Sequence, residues 1–216
     1  MQKPYIIKNF FTINDEGCSE QTIQKSRFIG YAKNVENEKE AQKFIQVIKK
    51  KHYDARHNCY AYIIGEHDEI QKSNDDGEPG GTGGVPILEV IKMRELKNTV
   101  IVVTRYFGGI KLGAGGLIRA YSSTASQTLD AVEIIQRKLV QNYEVKIDYS
   151  FLGKIQNDIK DIGALIDNII FEDIVTLSIF VDVGKEESFK EWIINLTNNQ
   201  VIFFEKEKKF IDVLYN

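Results

Sequence analysis

Between residues 73 and 121 the chain gathers the residue types that bind or transform ligands. Ten of its sixteen glycines fall between Gly77 and Gly116. Glycine costs a fold backbone entropy, so its concentration marks sharp turns or a backbone that approaches something closely. One glycine-rich loop runs from Gly108 to Gly116, between an apolar run and a helical pattern. Such a turn leaves N–H groups unpaired at the positive end of a helix dipole, where anions bind. Arg105 before the loop, Lys111 within it and Arg119 in the expected first helical turn add cationic charge. Arg105, Gly108, Gly109, Lys111, Gly113, Gly115, Gly116 and Arg119 therefore form a candidate anion or partner surface. Neither a G-x-x-x-x-G-K-[ST] nor a G-x-G-x-x-G spacing occurs, so the familiar nucleotide loops are excluded. Tight turns and close helix–sheet packing would account for the same glycines.

The other loop, Ser73 to Gly84, carries Asp75, Asp76 and Glu78, with Thr82 beyond them. Paired carboxylates can do acid–base work or hold a metal, but Asp-Gly and Pro-Gly are also ordinary turn chemistry. Calcium-loop spacing is absent, and no metal site is assigned. An internal role is pairing with Arg105 or Arg119. Upstream, His57 and Cys59 stand two apart on an expected strand and so share a face. A Cys–His nucleophile would need that placement; a packed cysteine beside a structural histidine fits it equally. His52 and His67 read as an exposed helix end and a loop residue.

The elements that position these groups follow from periodicity. Residues 4–13 and 20–34 read as strands. Asn37 is an expected N-cap for a helix whose apolar face is Ala41, Phe44, Ile45 and Ile48 and which ends at Lys49, Lys50 and Lys51. A strand over 58–64, a polar loop over 65–84 and a helix over 86–97 follow. The near-continuous apolar run 99–107 predicts a strand buried on both faces. A helix is expected from about Gly116 to 132. After Gln136-Arg137-Lys138 the pattern restarts as strand 139–149, helix 151–162, strands 168–171 and 175–183, helix 185–197 and strand 200–214. That order, β-α-β-β-α-β, is the split βαβ of ferredoxin-like domains. Two domains are expected, 1–137 and 138–216, in an α+β chain.

The 216 residues are 43% apolar and 27% charged, values of an ordinary globular protein. The first 140 residues carry a net charge of +3 and the remainder −6. A nucleic acid would thus be met by the first part and repelled by the second. Two cysteines, Cys18 and Cys59, and three histidines make neither a disulfide framework nor a zinc cluster. A cytoplasmic protein without membrane spans or cofactors is expected.

Three motifs stand in order: Ala55-Arg56-His57-Asn58-Cys59-Tyr60-Ala61, Asp75-Asp76-Gly77-Glu78-Pro79-Gly80-Gly81-Thr82, and Val103 to Gly109 continuing through Lys111 to Tyr121. Together they resemble the IMPACT / YigZ family. The resemblance is close over residues 20–130, and the tail is similar to the second domain of bacterial members. It implies a first domain with the fold of the second domain of ribosomal protein S five, shared with elongation factor G and galactokinase-type kinases. The second domain would be ferredoxin-like, similar to a C-terminal domain of elongation factor G. Eukaryotic members regulate translation during amino-acid starvation by binding the activator of an initiation-factor kinase. No catalytic residues are established for the family, so none is carried over. The family usually reads Gly-Thr-Ala-Gly where this chain has Gly81-Thr82-Gly83-Gly84.

The leading expectation is a non-enzymatic binding protein that contacts RNA, the ribosome or a translation-associated protein. An enzyme acting on a phosphorylated small molecule, or a hydrolase using the glycine-rich cleft, is the alternative. A third reading is a scaffold whose acidic tail docks a basic protein along a sheet edge.

Overall fold

The structure, a computed structural model, describes residues 9–214, arranged in two compact units. One comprises residues 10–136 and the other chiefly residues 137–212. The expected strand over 4–13 is described only as β1, Asn9–Ile13; residues 1–8 lie outside the described range.

In the first unit, β2 (Gly17–Ile23), β3 (Ser26–Asn34), β4 (His57–Ile64), β5 (Ile70–Asn74) and β6 (Thr99–Tyr106) form one sheet. Its order is β2-β3-β6-β4-β5, with antiparallel neighbours throughout. Strand alternation sends side chains to opposite faces. Tyr62, Val100 and Val102 thus meet Phe44, Ile45 and Ile48 of α1 (Glu38–Lys51) on one face. Ala61, Ile101 and Val103 meet α2 (Gly84–Met93) and α3 (Gly113–Asp130) on the other. The central strand β6 is buried on both faces, as its apolar run predicts. Helix α1 starts where expected: Asn37 accepts from the Glu40 N–H at 3.0 Å, and Glu40 accepts from the Glu36 N–H at 2.9 Å.

Several expectations need correction. The run 20–34 is a hairpin, turning at Gln24 and Lys25 with φ of 44° and 66°. Two consecutive positive φ values make the turn whose twist suits a two-residue hairpin, normally signalled by Asn-Gly. The polar loop 65–84 contains β5, a polar edge strand paired only with β4. Helix α2 spans 84–93 rather than 86–97, and α3 begins at Gly113, three residues before the expected start.

In the second unit, β7 (Ile134–Ile147), α4 (Tyr149–Asp158), β8 (Ala164–Phe171), β9 (Val175–Asp182), α5 (Glu186–Leu196) and β10 (Ile202–Leu214) follow the βαββαβ order. The sheet has five strands, in the order β1-β7-β9-β8 with β10 also paired to β7; β10, β7, β9 and β8 make the ferredoxin-like arrangement. Tyr143, Val145, Leu177 and Ile179 pack on Ile155, Phe189 and Ile193 of its helices. The first helix ends at residue 158 in a short 3-10 turn, and β8 begins at Ala164, earlier than the expected 168.

Gly83, where the family usually has alanine, lies against β4. A Cβ there would come within 2.5 Å of Cys59 Sγ. Gly83→Ala should therefore lower the unfolding free energy in urea by about 1–3 kcal/mol, the usual cost of overpacking. Adding Cys59→Ala should recover part of that loss. A Gly83→Ala protein as stable as the parent would refute the tight contact.

Candidate anion-binding site

The carboxylates of the 73–84 loop are each held by donors of a different kind. Asp75 accepts from the N–H groups of Gly81, Gly83 and Gly84 at 2.8–2.9 Å, and so covers the start of α2. Burial alone would raise its pKa; the three N–H donors outweigh burial and hold it below the ordinary aspartate value. Asp76 accepts from Lys49 Nζ at 2.5 Å and from the Asn58 N–H at 2.8 Å, so the lysine run at the end of α1 is partly tied to this loop. Asp76 and Gly77 turn the chain with φ of 45° and 86°.

Glu78 is the deepest of the three. Its Oε1 accepts from Arg105 Nη1 at 2.8 Å and from the Tyr121 hydroxyl at 2.8 Å. The Arg105 and Glu78 side chains are only 7% and 3% exposed. The Arg105 guanidinium carbon stands 5.5 Å from the ring centroids of both Phe28 and Phe107. Its Nη2 reaches Ser26 Oγ at 3.4 Å, and its Nε has no hydrogen-bond partner among the described residues. The expected pairing across the loop is thus made with Arg105. Arg119 stands exposed in the second turn of α3, not the first, because the helix starts at Gly113.

His57 and Cys59 do face the same way, and both are bound to the loop backbone. His57 Nδ1 lies 3.0 Å from the Asp76 carbonyl, and Cys59 Sγ donates to the Asp75 carbonyl at 2.9 Å. Burial, reinforced by the charges of Glu78, Asp75 and Asp76, pushes the Cys59 thiol up to about 12. A thiol so held is not a nucleophile near neutral pH. Thr82 is buried and donates to the Pro79 carbonyl at 2.6 Å. His52, expected to be exposed, is buried between Tyr31 and Tyr106. Tyr106 donates to Asp54, so its oxygen accepts from His52 Nδ1, and His52 Nε2 accepts from Tyr31. Among the described residues, no group of three or more His, Cys, Asp or Glu side chains could hold a metal ion.

Beside these fastened groups lies a cavity of about 450 Å³. Its wall combines Arg56, His57, Glu78, Arg105 and Lys111 with Pro79, Phe107, Leu112, Ala114 and Leu117, and Gly113 opens onto it. It sits at the N-terminus of the 18-residue α3, where no side chain caps the backbone and the first turn holds no acidic residue. Arg56 and Lys111 are exposed and form no ion pair among the described residues. Gly109 and Gly113 take φ of 89° and 69°, which lets the chain double back into the helix. Gly108 allows a close crossing, since a Cβ there would stand 1.9 Å from the Lys25 carbonyl oxygen. Gly115 and Gly116 belong to the first turn of α3, outside the cavity wall. Arg56 and Phe107 also line the cavity, with no individual signal in the sequence. The pairing of His57 with Arg105 across β4 and β6 brings their neighbours to one rim. A larger groove, of about 620 Å³, lies beside α1, away from these motifs, and carries both Glu16 and Lys33, which pair with each other.

This α+β architecture and its three motifs define a family. Residues 24–129 match the Impact N-terminal domain, and residues 145–200 match a domain of unknown function (DUF1949). The IMPACT family member YvyE of Bacillus subtilis is 47% identical over 98% of this chain and 97% of its own length. The IMPACT family member YigZ of Escherichia coli is 32% identical over 78% of this chain and 84% of its own. A crystal structure of a hypothetical protein superposes with a TM-score of 0.60 at 26% identity, covering 94% of this chain and 99% of the other. The chain belongs to the IMPACT family. No helix among the described residues is long and apolar enough to cross a membrane.

Two outcomes follow from these contacts. In the native protein a thiol reagent should modify Cys18, which is exposed, and spare Cys59, with both reacting after denaturation. Two equally fast native thiols would contradict the burial of Cys59. Asp75, lowered in the folded state, adds stability that is present above about pH 4 and is lost as pH falls through the folded pKa. Unfolding free energy measured from pH 6 to 2 should therefore fall less steeply in Asp75→Asn than in the parent.

Proposed function

We propose that this protein is a non-enzymatic binding protein of the cytoplasm, linked to translation through contact with RNA. The observation that carries the reading is the uncapped N-terminus of α3, flanked by Arg56, Arg105 and Lys111 against the single, already paired carboxylate of Glu78. Helix N-termini and arginine or lysine side chains are the usual partners of nucleic-acid phosphates. The first unit, residues 10–136, carries 16 Lys+Arg and 17 Asp+Glu, a net of −1 against −4 for residues 137–212, so the reading rests on the local cations at the cavity rather than on the charge of the unit.

The enzymatic alternative has less support, because its candidate groups are occupied. The Cys59 thiol is held protonated, and Asp75, Asp76 and Glu78 are bound by backbone, lysine and arginine donors. A general base must reach the proton it abstracts.

Fluorescence polarisation with short single-stranded RNA tests the proposal. Binding should appear at low salt and weaken linearly in log–log form as salt rises, by about 0.7 per neutralised phosphate. Lys111→Ala and Arg56→Ala should each lower that slope by about one contact. Absence of RNA binding at low salt, together with pull-downs that recover no ribosomal component, would sink the reading.

A further inference from the structure

The five-stranded sheet of the first unit is covered unequally on its two faces. On one face α2 and α3 pack against each other, with α3 over β2 and β3. On the other face α1 is the only helix among the described residues, and its strand contacts are chiefly with β4 and β6. Five strands about 4.8 Å apart span roughly 20 Å, a width that takes two helices about 10 Å apart. The end of the sheet made by β2 and β3 is therefore one helix short on the α1 side. Strand alternation puts Cys18, Glu20 and Thr22 of β2 on that face, and all three are exposed. Ser19 and Gln21, on the opposite face, bond to Thr128 and Thr124 of α3.

The groove of about 620 Å³ lies along this uncovered end. Its floor holds Cys18 and Tyr31, which are register partners on β2 and β3, and its wall is Phe44, Val47 and Ile48 of α1. Along α1 it runs from Glu40 to Lys51, about 16 Å, the length of three helical turns. Val47 is 53% exposed, so the wall offers an apolar contact that the chain itself leaves to solvent.

Charge decides what kind of helix fits. Both carboxylates of the lining are already engaged. Glu16 pairs with Lys33, and Glu40 accepts from the Glu36 N–H and the Asn37 side chain at the start of α1. Lys43 and Lys51 are exposed and form no ion pair among the described residues. Eight residues apart on one helix, they stand about 12 Å from each other, with Val47 midway. Lys51 Nζ lies 4.7 Å from the centroid of the Tyr31 ring, which keeps that cation at the groove.

We infer that this groove docks an amphipathic helix of a partner protein, with apolar side chains toward Val47 and Tyr31 and two carboxylates, two turns apart, on Lys43 and Lys51. The docked helix completes a two-helix layer over the sheet, as α2 and α3 do on the opposite face. The groove shares no lining residue with the cavity at α3, so the inference is independent of the RNA reading.

Cys18 lies in the groove and allows a test by thiol exchange in the full chain. Three helix-forming peptides, each ending in a cysteine on a short Gly-Ser linker, would be supplied as mixed disulfides with mercaptoethanol. One carries leucines on one face flanked by glutamates two turns apart. The second has the same residues scrambled, and the third has lysine in place of glutamate. Mass spectrometry then reads how much peptide Cys18 retains as reductant is raised. The acidic amphipathic peptide should withstand about tenfold more reductant than either control, the scale of two exposed ion pairs with an apolar contact between them. High salt should shrink that advantage. Lys43→Glu combined with Lys51→Glu should abolish it, with continued protection of Cys59 showing that the variant is folded.

Equal retention of the acidic and scrambled peptides overturns the inference, as does an advantage that survives both charge reversals in the folded protein. Displacement of the acidic peptide by single-stranded RNA makes the groove a nucleic-acid surface and overturns it too. A dimer of the full chain that Lys51→Glu dissociates assigns the groove to a second copy, with the same consequence.

Discussion

A glutamate and an arginine withdrawn from water together hold the first unit's candidate site in place. Glu78 comes from the loop before α2, Arg105 from the end of β6, Tyr121 from the middle of α3, and Ser26 from the start of β3. Removing one member of such a buried pair typically costs about 3–5 kcal/mol, because the other is left charged and unsolvated. The loop, the sheet end and the helix are therefore fixed relative to one another by the same carboxylate. The Nη groups of Arg105 face Glu78 and Ser26, while its Nε is enclosed without a hydrogen-bond partner among the described residues.

Around this pair the other polar groups serve as local fasteners. Asp75 satisfies the N–H groups at the entry to α2, so that helix start is closed to external anions. The start of α3 has no comparable acceptor and remains open. Two glycine-rich helix entries of similar composition thus differ in chemistry, one capped by a side chain of the protein itself and the other available to a ligand. Asp76 draws Lys49 and the Asn58 backbone to the loop, which leaves Lys111 and Arg56 as the cations facing solvent at the cavity.

Much of the architecture is legible in the sequence. The Asn37 cap, the two-faced apolar run of β6 and the βαββαβ order of residues 134–214 all follow from local patterns. The exceptions have local causes of another kind. The hairpin at Gln24-Lys25 lacks the glycine that usually announces its turn. Strand β5 is polar because it is an edge with one paired neighbour, so no apolar alternation marks it. His52 ends a helix in sequence, yet two tyrosines from β3 and β6 enclose it. Tyr31 and Tyr106 stand 21 and 54 residues from His52, beyond the reach of a local window.

The sequence by itself determined the elements, the α+β class and the concentration of charge and glycine between residues 73 and 121, because these depend on periodicity and residue type. Only the tertiary structure decided which of those charges are engaged and which are free. Asp76 and Lys49, like Glu78 and Arg105, stand 27 residues apart. Their pairing depends on strand register and on how deeply each group is buried, and neither is a property of a segment taken alone.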